Sequence, residues 1–248
     1  MPVAEKPPLD EALLVHYGVV GMKWGIRKSD ETGGVHRFQT VGPKIDSALH
    51  KSTQVAGQDV ARLMGERYGF HISELKSFGP GHPEYERGTA AYVEHTPGKR
   101  GGVIHASQAD LRKSLKYSEE IGWSAKGCGH NHGLLTHEAS HALFHAEEKV
   151  QMGFFKSKVV GGNIEARDAA LKVAMQDAER SGIRRNQFVT NVSGYSAASG
   201  TRQEMEAELF SQYHWSPNPP SYVKVWGETL HQQMGVDPTP FREEVKHV

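Results

Sequence analysis

Residues 137 to 141 read His-Glu-Ala-Ser-His, the spacing His-Glu-x-x-His. On an α-helix, residues four apart are neighbours on one face, so the imidazoles of His137 and His141 can converge on one ion at nitrogen to zinc distances of about 2.0–2.1 Å. Glu138 then stands beside the ion rather than on it. A carboxylate in that place can take a proton from water, the general-base step of zinc-assisted peptide-bond hydrolysis. A helix that merely carries two partly exposed histidines has the same local spelling, so a third ligand is what would give the motif its meaning.

His145 continues the four-residue spacing but fails on distance. Eight residues along a helix rise about 12 Å, too far for the rings of His137 and His145 to share one ion. Cys128, His130 and His132, in Gly-Cys-Gly-His-Asn-His-Gly, are chemically credible ligands. Their segment reads better as a glycine-rich loop at the mouth of the site, because no fourth partner is specified. The stronger source of a carboxylate is the segment 191–210, where Glu204 and Glu208 are four apart and share a helix face while Glu206 points elsewhere. One of the two completes a His2Glu set and the other hydrogen-bonds a ligand imidazole or the local backbone. Spacing alone does not choose between them.

These residues need elements to hold them. Apolar residues at helical spacing predict helices over 45–68, about 108–120, 134–149, 164–180, about 202–213 and about 222–234, with Ser181-Gly182 stopping the fourth and the last residues frayed. The words Ala-Ala-Tyr-Val (90–93) and Gly-Gly-Val-Ile-His-Ala-Ser (101–107), on either side of a turn-prone Thr-Pro-Gly-Lys-Arg, predict short strands that suit a hairpin. Residues 1–43, with Pro7, Pro8, Gly33, Gly34 and Pro43, read as a tail or docking segment, and 44–248 as the folded domain. Within the tail, His-Tyr-Gly-Val-Val-Gly-Met-Lys-Trp-Gly-Ile-Arg-Lys (16–28) is a compact apolar and basic cluster that suits a docking peptide or a strand laid across a core.

Composition narrows the function classes. Twenty-nine basic and 29 acidic residues cancel, and Arg184-Arg185 is an isolated basic pair, so nothing favours a nucleic-acid partner. Cys128 is the only cysteine, which excludes an intrachain disulfide framework. Catalysis by Cys128 with His130 lacks a third, orienting group. No apolar run reaches the roughly 18 residues of a membrane helix, and the start lacks a signal-peptide pattern; neither membrane insertion nor secretion is expected.

The words HEASH (137–141) and SGYSAASGTRQEMEAE (193–208) together resemble the lethal-factor-like gluzincin zinc metallopeptidases. The likeness covers roughly 130–213. It implies an α+β zincin-like fold in which a small sheet packs against the His-Glu-x-x-His helix and further C-terminal helices follow. It also implies Zn2+ as cofactor, His137, His141 and Glu204 as its ligands, Glu138 as general base and Glu208 as the carboxylate behind a ligand imidazole. Tyr195 falls on the family tyrosine that stabilises the oxyanion. Tyr195 and Glu204 are nine residues apart where the family pattern has seven, so two extra residues must be absorbed between them.

Residues 16–28, around Gly-Met-Lys-Trp-Gly, resemble a short N-terminal signature of structural and head-associated proteins of tailed bacteriophages. The two likenesses join in an endopeptidase acting in capsid maturation or carried in the virion. Its partners would be a polypeptide substrate and phage capsid, scaffold or other virion proteins, and its location the host cytoplasm during assembly or the particle. The competing readings are a non-enzymatic minor virion or scaffold-associated protein with a structural or degenerate zinc site, and a peptidase regulated by its own N-terminal segment.

Overall fold

The structure is a computed structural model that describes residues 42–95, 100–145, 149–152 and 157–245. The N-terminal segment 1–41, and with it the 16–28 cluster, lies outside the described residues. After β1 (Lys44–Ile45) comes α1 (Lys51–Tyr68), then β2 (His71–Phe78), the single turn α2 (Pro83–Glu86), β3 (Ala91–His95) and β4 (Gly101–Ser107). These strands form one mixed sheet in the order β1-β2-β4-β3, with β1 and β4 parallel to β2 and β3 antiparallel to β4. The expected pairing of 90–93 with 101–107 is found, Val93 lying opposite Ile104.

The central strand β2 was not among the expected elements. Its buried residues Ile72 and Leu75 fall three apart because a bulge between Ile72 and Glu74 shifts the register against β4, and Phe78, three further on in regular register, is buried on the opposite face against His82 and Tyr92. One inserted residue breaks the period-two alternation by which a half-buried strand is recognised. The helix expected from 45 starts only at Lys51, where the His50 side chain accepts a hydrogen bond from the Ser52 amide, because 44–45 are taken into the sheet.

Helix α3 (Arg112–Glu120) leads to α4 (Asn131–His145), the hairpin β5 (Lys149–Met152) and β6 (Ser157–Val160), and α5 (Ile164–Arg180). A 3-10 turn at Arg185–Gln187, α6 (Phe188–Val192) and α7 (Gly194–Ser199) precede α8 (Arg202–Trp215), α9 (Ser221–Met234) and α10 (Phe241–Val245). Helix α5 keeps its expected bounds, and α4 is displaced from 134–149 to 131–145. Of the C-terminal residues expected to fray, Phe241–Val245 instead form α10, with Phe241 fully buried, and 246–248 lie outside the described residues.

Two packings position the site. Helix α4 packs on β3 and β4 of the sheet, α8 packs alongside α4, and every α8 residue from Glu204 to Trp215 is buried. Behind them, α5 presents Ala166, Ala170, Ala174 and Ala178 as a small-residue stripe, and α9 answers with Val223, Trp226 and Leu230. Residues four apart form one ridge, and alanines let a neighbouring helix come close. The result is the expected α+β fold: a small mixed sheet against a helix bearing the His-Glu-x-x-His motif, with further C-terminal helices.

Candidate metal centre

Helix α4 begins inside the glycine-rich segment that sequence alone assigns to a loop. A side chain at Gly133 would place its Cβ 2.4 Å from the Cys128 carbonyl, so a glycine is what lets the chain turn into the helix there. His130 caps the new helix, its Nδ1 accepting from the Gly133 amide at 3.2 Å while Nε2 faces the Gly127 carbonyl at 3.2 Å. His132 pairs with Asp59 at 3.0 Å and lies against the Trp215 ring. These two histidines hold structure. Burial drives the Cys128 thiol far above its usual range, which leaves it protonated and a poor nucleophile.

One turn further on, His137 and His141 project toward the first turn of α8. Thr201 caps that helix by accepting the Glu204 amide, and the N-terminal end of a helix favours a carboxylate such as that of Glu204. Glu204 Oε2 lies 3.0 Å from His137 Nε2 and 3.1 Å from His141 Nε2, and the two Nε2 atoms are 3.1 Å apart. Among the described residues this is the one group of three or more His, Cys, Asp or Glu side chains suited to hold a metal ion.

The fit to zinc can be tested on these distances. Four ligands at about 2.0–2.1 Å in a tetrahedron stand about 3.3 Å from one another, within a few tenths of an ångström of the separations found. Two imidazole nitrogens aimed at one point alongside a carboxylate oxygen repel unless a proton or a cation sits between them. On the far side of the ring, His137 Nδ1 lies 3.2 Å from Glu208 Oε1, and Glu208 Oε2 accepts the Ala125 amide at 2.6 Å. A proton on Nδ1 donated to Glu208 leaves the Nε2 lone pair facing Glu204 and His141, the tautomer a metal requires.

The electrostatics follow from burial and these charges. Burial pushes the His137 pKa down, but hydrogen bonds and charges from Glu204 and Glu208 outweigh it and hold the ring well above its ordinary value. His141 is lowered, mainly by burial, with Glu204 opposing. Burial would raise Glu204, yet the two histidines depress it far below the usual carboxylate range. Glu138, 2 % exposed, is held well above the usual range by burial; nearby His137 opposes, and Glu204 and Glu208 add to the rise. A carboxylate so shifted is a better proton acceptor than one in water.

Tyr195 is buried on α7 with its ring centroid 6.0 Å from that of His137. The backbone holds it there, Gly194 N donating to the Gly122 carbonyl and Tyr195 N to the Trp123 carbonyl, both at 2.8 Å. Between Tyr195 and Glu204 the chain ends α7 at Gly200 (φ 65°), and Thr201 then caps α8. His145 stays outside the three-donor group, its ring 6.1 Å from that of His141. A small cavity of about 60 Å³ adjoins the site, lined mainly by apolar groups including Ala90, Leu115, Trp123 and Leu134 beside His137 and Tyr195.

Sequence reasoning did not find Arg167, the buried partner of Glu206, or the 121–125 backbone that receives Glu208 and α7. The signal available for Arg167 was weak: a single arginine within the alanine-rich face of α5.

The two imidazoles, the carboxylate beyond them and the buried Glu138 form a zincin-type metalloprotease arrangement, with a ligand cluster suited to a zinc ion and consistent with a zinc-dependent hydrolase. Comparison with known proteins adds little to that chemistry. Residues 7–31 match a family of unknown function (DUF7211), a stretch that contains the 16–28 cluster. No curated protein and no solved structure matches the chain.

Proposed function

We propose that this chain is a zinc-dependent endopeptidase of the lethal-factor-like gluzincin kind. The observation that carries the proposal is the convergence of His137 Nε2, His141 Nε2 and Glu204 Oε2 within about 3.1 Å of one another, with Glu138 buried alongside. His137, His141 and Glu204 would hold the ion, which when bound supplies Lewis acidity toward the scissile carbonyl and makes a water molecule acidic enough to attack. Glu138 takes the proton from that water and returns it to the leaving amine. Glu208 fixes the His137 ring through Nδ1. Tyr195, packed on that ring, is the group that would steady the oxyanion. The three donors found among the described residues leave a coordination position for water or substrate, whereas a purely structural zinc site is closed by four.

The test is Glu138→Gln, which keeps the side chain's shape and removes the base. Zinc content by mass spectrometry is expected to stay at one per chain while peptide cleavage falls by about 10²–10⁴. Cleavage at the wild-type rate would reject Glu138 as the base.

We further propose a tailed-bacteriophage setting, with residues 1–43 as a docking segment for capsid, scaffold or other virion proteins, the host cytoplasm or the particle as the location, and capsid maturation as the role. The Gly-Met-Lys-Trp-Gly resemblance supports this, and a family match confined to residues 7–31 supports treating that segment as a unit apart from 44–248. Deleting residues 1–43 is expected to leave zinc binding intact and abolish co-sedimentation with assembled particles. Unchanged co-sedimentation would refute the docking role.

A further inference from the structure

We propose that the buried Arg167–Glu206 pair is a positioning brace for the metal site, fixing the relative placement of the two helices that supply its donors. It rests on the zinc reading above. Helix α8 carries acids at 204, 206 and 208, and the middle one faces away from the other two. Glu206 is nevertheless fully buried, and Arg167 of α5, at 1 % exposed, is its partner. Arg167 Nε donates to Glu206 Oε2 at 2.8 Å, and Nη2 donates to the same oxygen. The other oxygen accepts from Arg202 Nε at 2.6 Å, and Arg202 also pairs with Asp168 at 2.6 Å.

The same guanidinium reaches α4. Its Nη1 lies 3.4 Å from the Phe144 carbonyl, three residues past His141, and 3.3 Å from the Gly162 carbonyl, with the Arg167 Cζ 5.2 Å from the Phe144 ring centroid. One planar group thus joins α8, through a carboxylate two residues from Glu204, to the end of the helix that bears both histidines. Apolar packing between two helices is non-directional and tolerates sliding, whereas a guanidinium fork fixes both direction and register. A metal centre needs that, because its donors sit about 3 Å apart on different helices. Stability does not explain the pair, since a buried ion pair is often replaceable by apolar residues at little or no loss.

That contrast supplies the test. In the full chain, Arg167→Met with Glu206→Leu removes both buried charges together, and Arg202 keeps its pairing with Asp168. The zinc-free double variant is expected to unfold within a few degrees of wild type, while chelator competition gives at least about tenfold weaker zinc binding. The absorption spectrum of the Co2+-loaded protein is expected to change with it. Arg167→Lys, which keeps a cation but not the fork, is expected to stay folded and lose part of the affinity; it carries the test if the double variant does not fold. Wild-type zinc affinity and Co2+ spectrum in a folded variant would overturn the brace, as would an affinity loss no larger than the loss of zinc-free stability. A wild-type chain that binds no zinc would overturn the metal reading and the brace together, whereas tight wild-type binding with unchanged variants overturns the brace alone.

Discussion

Acid should loosen this protein from a place far from its metal site. Tyr68 on α1 sits between His214 on α8 and His231 on α9, its hydroxyl 3.0 Å from His214 Nε2 and 2.6 Å from His231 Nε2. Backbone groups at the two ends set the direction of the chain. The Phe241 amide donates to His214 Nδ1, so His214 carries its proton on Nε2 and donates to the tyrosine oxygen. Tyr68 then donates to His231 Nε2, and His231 Nδ1–H donates to the Gly227 carbonyl at 2.5 Å. Every donor and acceptor is used with both rings neutral, and a further proton has no acceptor to face. Burial drives His214 well below its ordinary pKa, helped by His231, Arg67 and Arg242. Burial also brings His231 from 6.5 down to about 4, with the Gly227 carbonyl opposing, Arg67 assisting and Asp237 opposing.

A histidine whose folded pKa is depressed contributes stability that is complete above its unfolded value and lost as the pH falls toward the folded one. For His231 the window runs from 6.5 to about 4. At about 1.4 kcal/mol for each pH unit, the loss over that window is about 3 kcal/mol. In a chain of 248 residues that lowers the unfolding midpoint by about 6–12 °C. His137 has the opposite sign: its pKa is raised, so its contribution is present below 6.5 and lost as the pH rises, outside this window. His141 and His214, both lowered mainly by burial, add in the same direction as His231, so the comparison needs a variant that replaces His231 and keeps the other two. The assay is urea unfolding, followed by tryptophan fluorescence, of wild type and His231→Gln across about pH 4–7. Wild type is expected to be the more stable at pH 7, with the gap closing by about 3 kcal/mol toward pH 4. Two parallel stability curves would refute the reasoning.

Zinc at about a hundredfold over its dissociation constant should stabilise the chain by about 2.7 kcal/mol, and a chelator should reverse the gain; an unfolding midpoint indifferent to both would count against the site. A side chain on Gly227 would put its Cβ 2.1 Å from the Tyr213 ring, so Gly227→Ala should cost about 1–3 kcal/mol, read by urea unfolding, by forcing α9 off α8. A neutral result would mean the ring has room to move. Cys128, buried and with a raised pKa, should react with a thiol reagent only after unfolding, and Cys128→Ala should leave cleavage intact. Loss of cleavage in that variant with its fold and zinc content unchanged would reopen thiol chemistry.

Much of the scaffold was legible because helical periodicity is a local property. The span of α5, most of α8 and α9, and the pairing of 90–93 with 101–107 all follow from short stretches of sequence. Three features escaped for separate physical reasons. Strand β2 hides its period behind a bulge, α4 starts within a glycine-rich segment because only a glycine fits against the Cys128 carbonyl, and α10 is held by burial of Phe241 against His214 rather than by any local signal.

At the site the same division holds. The spacing of His137, Glu138 and His141 is covalent, and a helix of fixed pitch turns it into two imidazoles on one face with a carboxylate beside them. Sequence also placed Glu204 and Glu208 on a common face but could not rank them, since both satisfy the same helical geometry. Packing of α8 against α4, across 67 residues of chain, brings Glu204 to the Nε2 side of His137 and Glu208 to its Nδ1 side. Whether a buried acid meets a ring nitrogen, a backbone amide or, like Glu206, an arginine depends on which distant surface its helix is pressed against, and only the assembled core decides that.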